Sequence, residues 1–284
     1  MPESPSFFNV KKLLKALVPA PLRRTLRAGQ GRARRAWSRR FGSFYCPVCE
    51  TRLACFNPLP AFYRENWQLY GFDSSKLEAE TINETQYTCP LCGASDRDRL
   101  YTLYLRERLV TAPAAFKLVD FAPAPSLRGW FQRTCRIQYR TADLFMEGVD
   151  DRVDLTDMNI YPDGSVDAFV CSHILEHIPD DRRALQELFR ILKPGGWGIL
   201  MVPICLKRRE IFEDPTKTAS EADRWRYFGQ GDHVRIYNKQ GFMDRISSVG
   251  FKIQQLGVGH FGADTFRRCG ITEKSVLYVG EKQK

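Results

Sequence analysis

Four cysteines occur as two matched pairs, Cys46-Pro47-Val48-Cys49 and Cys89-Pro90-Leu91-Cys92, with 39 residues between them. Each C-P-x-C forms a tight turn that can place both sulfurs on one ion, and two such turns complete a tetrahedral shell of four thiolates. Four thiolates with no open position suit zinc in a structural role, and its binding energy would be folding energy for a small module. Two matched Pro-containing pairs argue against the alternatives, a disulfide pair or redox C-x-x-C chemistry. Cys55 stands alone and is not expected among the ligands. A second constellation, His173-Ile174-Leu175-Glu176-His177, has the H-x-x-E-H spacing of inverted zinc-protease motifs. That chemistry needs all five residues within one helix. Here they follow an apolar run directly and Pro179 comes two residues later, so His177 is expected to make a structural hydrogen bond at a strand end.

The elements that must position these groups are legible around them. Val166 to Cys171 is an apolar run of the kind buried in parallel sheets. A helix is expected to open near Pro179, with Asp180 and Asp181 in its first turn. Leu185, Leu188, Phe189 and Leu192 recur at helical spacing and make one buried face. Lys193-Pro194-Gly195-Gly196 should stop the helix and turn the chain into a buried strand at Trp197 to Val202, which completes a βαβ unit. Upstream, Ser95 to Arg99 leads into a helix at Leu100 to Val110. Phe116 to Phe121 and Arg136 to Thr141 read as the first two strands of the sheet. Asp143 follows Asp120 by 23 residues, and an acid about 20 residues on is placed for a ribose diol, as in dinucleotide folds.

Asp167, Leu175, Glu176 and His177, followed by the Leu192 to Gly196 turn, resemble the second half of class I S-adenosylmethionine-dependent methyltransferases. With the zinc pairs included, most of residues 43–284 also resembles an unassigned bacterial group of zinc-knuckle methyltransferase-domain proteins. The resemblance implies an α/β, Rossmann-like fold: a seven-stranded, mostly parallel sheet with an antiparallel C-terminal strand, plus a small N-terminal zinc-binding module. It implies S-adenosylmethionine as cofactor, held by Asp120 and the loop after it, by Asp143, and by Asp154 and Leu155 at the adenine in a third-strand region, Val153 to Thr156. Cys171 and His173, at the end of the fourth strand, would complete the mouth of that site. The family's D-x-G-x-G-x-G loop is replaced here by Asp120-Phe121-Ala122-Pro123-Ala124-Pro125-Ser126. Ala122 and Ala124 can stand for glycines if they take ordinary φ angles, with Ser126 capping a helix from Leu127. A catalytically dead, methyltransferase-like binding protein is the further alternative that the missing glycines raise.

A late helix at Gln240 to Val249 and an antiparallel hairpin of Phe251 to Val258 with Ser275 to Val279 are expected to close the sheet. Between it and the fifth strand lies a polar insert, Cys205 to Asn238. Acceptors in such folds bind loops at the carboxyl ends of strands. His233 is therefore the candidate general base, with Glu213 or Asp214 to orient it or to help hold a divalent ion. The acceptor expected is a hydroxyl of a saccharide or small cell-envelope metabolite. An RNA base methylated with help from the zinc module is the alternative.

Residues 1–40 hold eleven Lys and Arg against one acid, Glu3, and so carry the whole net charge of +10; the other 244 residues balance at 32 basic and 32 acidic. A neutral body disfavours nucleic acid. Phe7, Val10, Leu14 and Leu17 share a helical face in this arm, for which a flexible extension, peripheral contact with an anionic membrane and nucleic-acid contact compete, the last weakened because no Phe or Tyr interleaves with the Arg run. The organisation expected is thus an arm at 1–42, a four-cysteine zinc module with a linking helix at 43–112, and the large domain at 113–284. No apolar run of 18 residues and no secretory signal are evident, and the odd cysteine count points to a reducing cytoplasm.

Overall fold

The computed structural model describes residues 42–134 and 136–284; the expected amphipathic arm and Cys135 lie outside them. Strands β1 (Phe44–Cys46) and β2 (Thr51–Leu53) pair antiparallel around the first cysteine turn, with Phe44 opposite Leu53. Helix α1 (Ala61–Tyr70) ends on Gly71 in the left-handed region, φ 70°. Helix α2 (Asp96–Leu109) begins earlier than its apolar pattern implied because Ser95 and Asp98 form a reciprocal capping box. Ser95 Oγ accepts from Asp98 N at 3.2 Å, and the Asp98 carboxylate accepts from Ser95 N at 2.9 Å.

The large sheet draws on β3 (Lys117–Phe121), β4 (Gln138–Asp143), β5 (Asp151–Arg152), β6 (Val166–Ser172) and β7 (Leu192–Met201). Helix α3 (Pro125–Thr134) joins β3 to β4, and α4 (Asp181–Ile191) joins β6 to β7. The insert contributes β8 (Phe212–Glu213), α5 (Glu221–Phe228) and β9 (Arg235–Ile236). The chain closes with α6 (Lys239–Ser248), β10 (Lys252–Leu256), α7 (Val258–Phe261), α8 (Ala263–Cys269) and β11 (Leu277–Glu281). Strand order is β10-β11-β7-β6-β3-β4-β5, with β3 to β7 parallel and β11 antiparallel to both its neighbours. This is the mostly parallel seven-stranded sheet expected.

Several local expectations are corrected. Ser126 does not cap α3, which already starts at Pro125; its hydroxyl instead lies 3.1 Å from the Asp98 carboxylate of α2. The third strand is only Asp151–Arg152, so Val153 to Thr156 lies beyond it. Lys193 to Gly196 belongs to β7 as an irregularity, since the register with β6 jumps between the pairs Val166–Leu192 and Ala168–Trp197. Gly195, at φ 79°, supplies the conformation this bulge requires. The two closing strands pair antiparallel, but β11 inserts between β10 and β7, and α7 and α8 separate them in the chain.

Packing joins the N-terminal segment to the sheet. One cluster of buried side chains runs from Cys46 through Leu100 and Tyr104 of α2 to Val279 of β11. The Tyr104 ring meets Trp197 of β7 edge-on at 5.3 Å. In α4, Leu185 and Leu188 are buried on the predicted face, each worth about 1.5–3 kcal/mol in transfer terms. Among the described residues no helix is long and apolar enough to cross a membrane.

Candidate functional site: a strand-end cleft beside a buried histidine cluster

The carboxyl ends of the parallel strands open at the place where β3 is flanked by β4 on one side and β6 on the other, the point where strand order reverses. Asp120, near the end of β3, is 1 % exposed and accepts from Tyr139 Oη at 2.8 Å. Burial pushes its carboxyl up to about 7 against the opposing pull of that hydrogen bond. In the loop that follows, Ala122 takes φ 50° and donates its N–H to Ala142 at 2.9 Å. The condition of an ordinary φ is thus not met at Ala122: the turn demands a left-handed residue, and an alanine there costs about 1–2 kcal/mol. Ala124 immediately precedes α3, and its carbonyl accepts from Arg128 N at 2.9 Å.

Asp143 ends β4, and its Oδ1 accepts the N–H groups of Phe145 and Met146, both at 2.7 Å. Asp154 is exposed and turns its Oδ1 onto Thr156, while Leu155 beside it is buried. Cys171 is fully buried within β6, opposite Phe121, which makes it a core thiol rather than part of the cleft surface.

Beyond Ser172 the chain makes the turn that carries His173, Glu176 and His177, with no helix through them. His173 itself is left-handed, φ 57°, and such strain in a non-glycine residue is a mark of functional turns. Its Nδ1 lies 3.1 Å from Glu176 Oε1, and its Nε2 is buried without a partner among the described residues. Glu176 is 0 % exposed, and neither carboxylate oxygen has a well-aligned hydrogen-bond donor. Burial pushes its carboxyl up, but the His173 imidazole, then those of His233 and His177, pull it down to about 2. The His177 ring stands edge-on to His233 at 4.8 Å. Burial lowers His233 to about 4, and burial together with the Arg97 guanidinium does the same to His173.

His173 and His233 line a cavity of about 80 Å³ with Arg97, Tyr63, Trp67 and Phe228. Drug-sized ligand sites run to several hundred Å³, so this cavity has room only for one end of such a molecule. Its roof comes from the N-terminal segment. Of the aromatics between the cysteine pairs, Phe56 packs beside the knuckles on Phe44 at 5.6 Å. The others face the insert instead: Trp67 Nε1 donates to Gly229 at 2.8 Å, and Tyr70 stacks on Trp225 at 5.9 Å.

The four knuckle cysteines converge as their spacing implied. Cys46 Sγ is 3.7 Å from Cys92 Sγ, Cys49 Sγ is 3.9 Å from Cys89 Sγ, and all four sulfurs lie within 4.8 Å. A tetrahedral shell with metal–sulfur bonds of about 2.3 Å has sulfurs about 3.8 Å apart, so the geometry fits one zinc ion and no disulfide. Thiol–thiol hydrogen bonds push Cys46 up and pull Cys89 down to about 7. Cys55 is exposed and outside the cluster.

Residues 133–200, which span β4 to β7, match the family model described as a methyltransferase domain. The stretch from β4 to β7 is thus similar to the methyltransferase domain of S-adenosylmethionine-dependent enzymes. Over 96 residues the chain is 31 % identical to 2-methyl-6-phytyl-1,4-hydroquinone methyltransferase 1, chloroplastic, of Oryza sativa subsp. japonica, covering 32 % of this chain and 26 % of that protein. A probable S-adenosylmethionine-dependent methyltransferase of Mycolicibacterium smegmatis is 29 % identical over 114 residues, covering 38 % of this chain and 39 % of its own length. The chain thus spans well under half of either relative. The YcgJ protein of Bacillus subtilis is 17 % identical, with a TM-score of 0.41 over 65 % of this chain and 99 % of its own.

Asp120, Ala122, Ala124 and Asp143 gather at the ends of β3 and β4. His173 and His233 meet at the small cavity. Glu213 and Asp214 do not join them. The Glu213 carboxylate is taken up by Arg235 at 3.0 Å and Arg245 at 2.6 Å. Asp214 caps the turn at Pro215–Lys217 and pairs with Lys217 at 3.0 Å. The carboxylate beside His233 is Glu176, which in the sequence belongs to the H-x-x-E-H spacing and to the methyltransferase motif but carries no expected role of its own. No motif marks Arg97, and its position within the acidic first turn of α2 is the one signal the sequence offers for it.

Proposed function

We propose that the chain transfers the methyl group of S-adenosylmethionine to a hydroxyl of a saccharide or other small cell-envelope metabolite. The transferase reading is carried by Asp120 and Asp143, two acids at the ends of neighbouring strands beside the switch point of a methyltransferase sheet. Asp143 would bind the ribose hydroxyls through Oδ2, its Oδ1 being engaged by the following turn. Leu155 would lie against the adenine, and the backbone at Ala122 would approach the methionyl end.

S-adenosylmethionine supplies a methyl already activated on sulfonium, so the protein contributes mainly positioning and a route for one proton. The acceptor oxygen forms its bond to the methyl carbon as the carbon–sulfur bond breaks, and the electron pair stays on sulfur. His233, neutral at pH 7 because burial lowers it, can receive the hydroxyl proton, with Glu176 beside it to stabilise the resulting cation. Aromatic walls from Tyr63, Trp67 and Phe228 suit the apolar face of a ring, while Arg97 and His233 suit its polar substituents. Charge balance across the 244 residues after the arm favours a small acceptor over RNA. Zinc at Cys46, Cys49, Cys89 and Cys92 would hold the segment that roofs the cavity.

Calorimetric titration of S-adenosylmethionine and S-adenosylhomocysteine into zinc-replete protein tests the reading. Micromolar binding that is lost in Asp143→Ala supports it. Absence of binding of either ligand by folded protein rejects it.

A further inference from the structure

We propose that Glu176, His177 and His233 bind one divalent transition-metal ion, distinct from the four-cysteine cluster, on the acceptor side of the cleft. One donor atom from each residue lies within 4.8 Å of the other two. Two imidazoles and a carboxylate leaving open positions form a recognised ligand set for such ions.

Three further observations point to an ion. Glu176 is 0 % exposed, and both of its oxygens lack an aligned donor among the described residues. A carboxylate so buried costs several kcal/mol unless a cation or hydrogen bonds balance it. His173 Nδ1 is near, at 3.1 Å, but not aligned to donate. Next, His177 is oriented as metal-ligating imidazoles are. Its Nε2 faces Glu176 Oε1 at 4.0 Å, while its Nδ1 meets the Asp232 carbonyl at 3.2 Å and carboxylate at 3.4 Å. Finally, the insert and the turn are bound together, so the donors are preorganised. Val234 N donates to Glu176 O at 2.9 Å, and the Arg235 guanidinium donates to Leu175 O and Pro179 O, both at 2.7 Å.

Two imidazoles favour zinc, iron or cobalt, and the carboxylate admits manganese, over magnesium, which prefers an all-oxygen shell. Metal–ligand bonds of about 2.1 Å place donors roughly 3–3.5 Å apart, so side-chain rotation closing the group by about an ångström completes the site. Resting on the methyltransferase reading above, with His233 now a ligand and no longer the base, the ion would take the acceptor hydroxyl as a further ligand and lower its pKa. The proton then leaves toward solvent through His173, whose unpartnered Nε2 lies on the same cavity. Oxygen–carbon bond formation and carbon–sulfur cleavage balance without any redox partner.

The test uses full-length protein whose four-cysteine cluster is filled with zinc, titrated with Co2+ and read by visible spectroscopy and calorimetry. The expected result is one Co2+ per chain with weak ligand-field bands and no thiolate charge-transfer band. That uptake should be lost in Glu176→Gln and His233→Ala, and in the partly exposed His177→Ala should the buried variants misfold. Retained zinc and retained S-adenosylhomocysteine binding certify the fold. Cobalt and Mn2+ both ignored up to millimolar concentration, by protein that binds S-adenosylhomocysteine, would overturn the metal site and leave His233 as a metal-free base. Uptake unchanged in all three variants overturns it equally. Cobalt binding that depends on these residues, in protein that binds no cofactor, supports the metal site and rejects only the methyltransferase reading.

Discussion

The Arg99 guanidinium donates to the Cys269 carbonyl at 2.6 Å, across 170 positions of the chain. Its other four N–H groups reach Tyr87 O and Ala94 O at 3.0 Å, Gln86 O at 2.6 Å and Gly270 O at 3.1 Å. All five donors of a fully buried cation are thus satisfied by main-chain carbonyls, with the Phe56 ring 3.8 Å beneath. Gln86, Tyr87 and Ala94 flank the second cysteine pair, while Cys269 and Gly270 end α8. Arg99 therefore joins the knuckles to the C-terminal part of the molecule.

From that arrangement Arg99→Lys should be far from conservative. A lysine offers three donors on a point charge and leaves at least two buried carbonyls unpaired, a loss of about 2–4 kcal/mol. The urea midpoint should fall, and zinc should be released at lower chelator concentration. A midpoint unchanged from the parent would mean that water replaces the missing donors without cost.

Replacing one knuckle ligand, as in Cys89→Ser, should leave zinc bound weakly or not at all. Because α1 and the segment after it are held between the knuckles and the insert, loosening the metal should also open the roof over His173 and His233. Zinc content by absorption spectrometry and the thermal midpoint should fall together, and Trp67 fluorescence should shift to the red. Metal loss with no change in melting would contradict a structural ion.

Much of this organisation was legible in the chain because each signal was local. Runs such as Val166–Cys171 show a buried parallel strand without help from tertiary structure, and C-P-x-C turns prepare their own metal geometry. The residues that were misread depend on contacts between distant segments. Nothing in the spacing of Glu176 shows that residues 233–235 pack against its turn, since that contact is made by the Arg235 clamp. The aromatics from Phe62 to Phe72 could serve either the metal or the insert, and the stacking of Tyr70 on Trp225 decides for the insert. Glu213 looked free to assist His233 because its two arginine partners lie 22 and 32 residues further on.

Asp120 has a folded value of about 7 against the ordinary 3.8, so the native state favours its protonated form. The stability it contributes is complete below about pH 4 and is lost as pH rises through 7. Asp120→Asn removes that dependence. The variant should therefore exceed the parent by about 1–3 kcal/mol at pH 8, with the gap closing toward pH 5. Urea unfolding at both pH values checks this; a gap of equal size at both would sink the assignment.

Relief of the left-handed turn should be measurable as well. Ala122→Gly removes about 1–2 kcal/mol of backbone strain and adds less than 1 kcal/mol of unfolded-state entropy, for a net gain of roughly 0.5–1 kcal/mol. The midpoint of thermal unfolding should rise by a few degrees at most. Cofactor affinity should hold or improve, since a glycine lets a ligand approach the backbone more closely. A fall in stability would show that the alanine methyl makes packing contacts worth more than the strain.

Glu213 and His233 should separate cleanly in their effects. Glu213 lies between Arg235 and Arg245, whose side chains are only 4 % and 7 % exposed, but is itself 43 % exposed. Asp181, shared with Arg245 and with the Tyr237 hydroxyl, still balances part of that charge after Glu213 is removed. Glu213→Gln should therefore cost a modest amount, about 1–2 kcal/mol, with solvent screening discounting the full penalty of a buried pair. Asp214→Ala removes only a cap on a short turn and should cost about 0.5–1 kcal/mol. Neither variant should change S-adenosylhomocysteine affinity or the rate of methyl transfer per folded molecule. His233→Ala, by contrast, should leave cofactor binding intact and abolish transfer. Loss of transfer in Glu213→Gln at undiminished stability would return that carboxylate to the reaction and place the insert's ion pairs within the acceptor site.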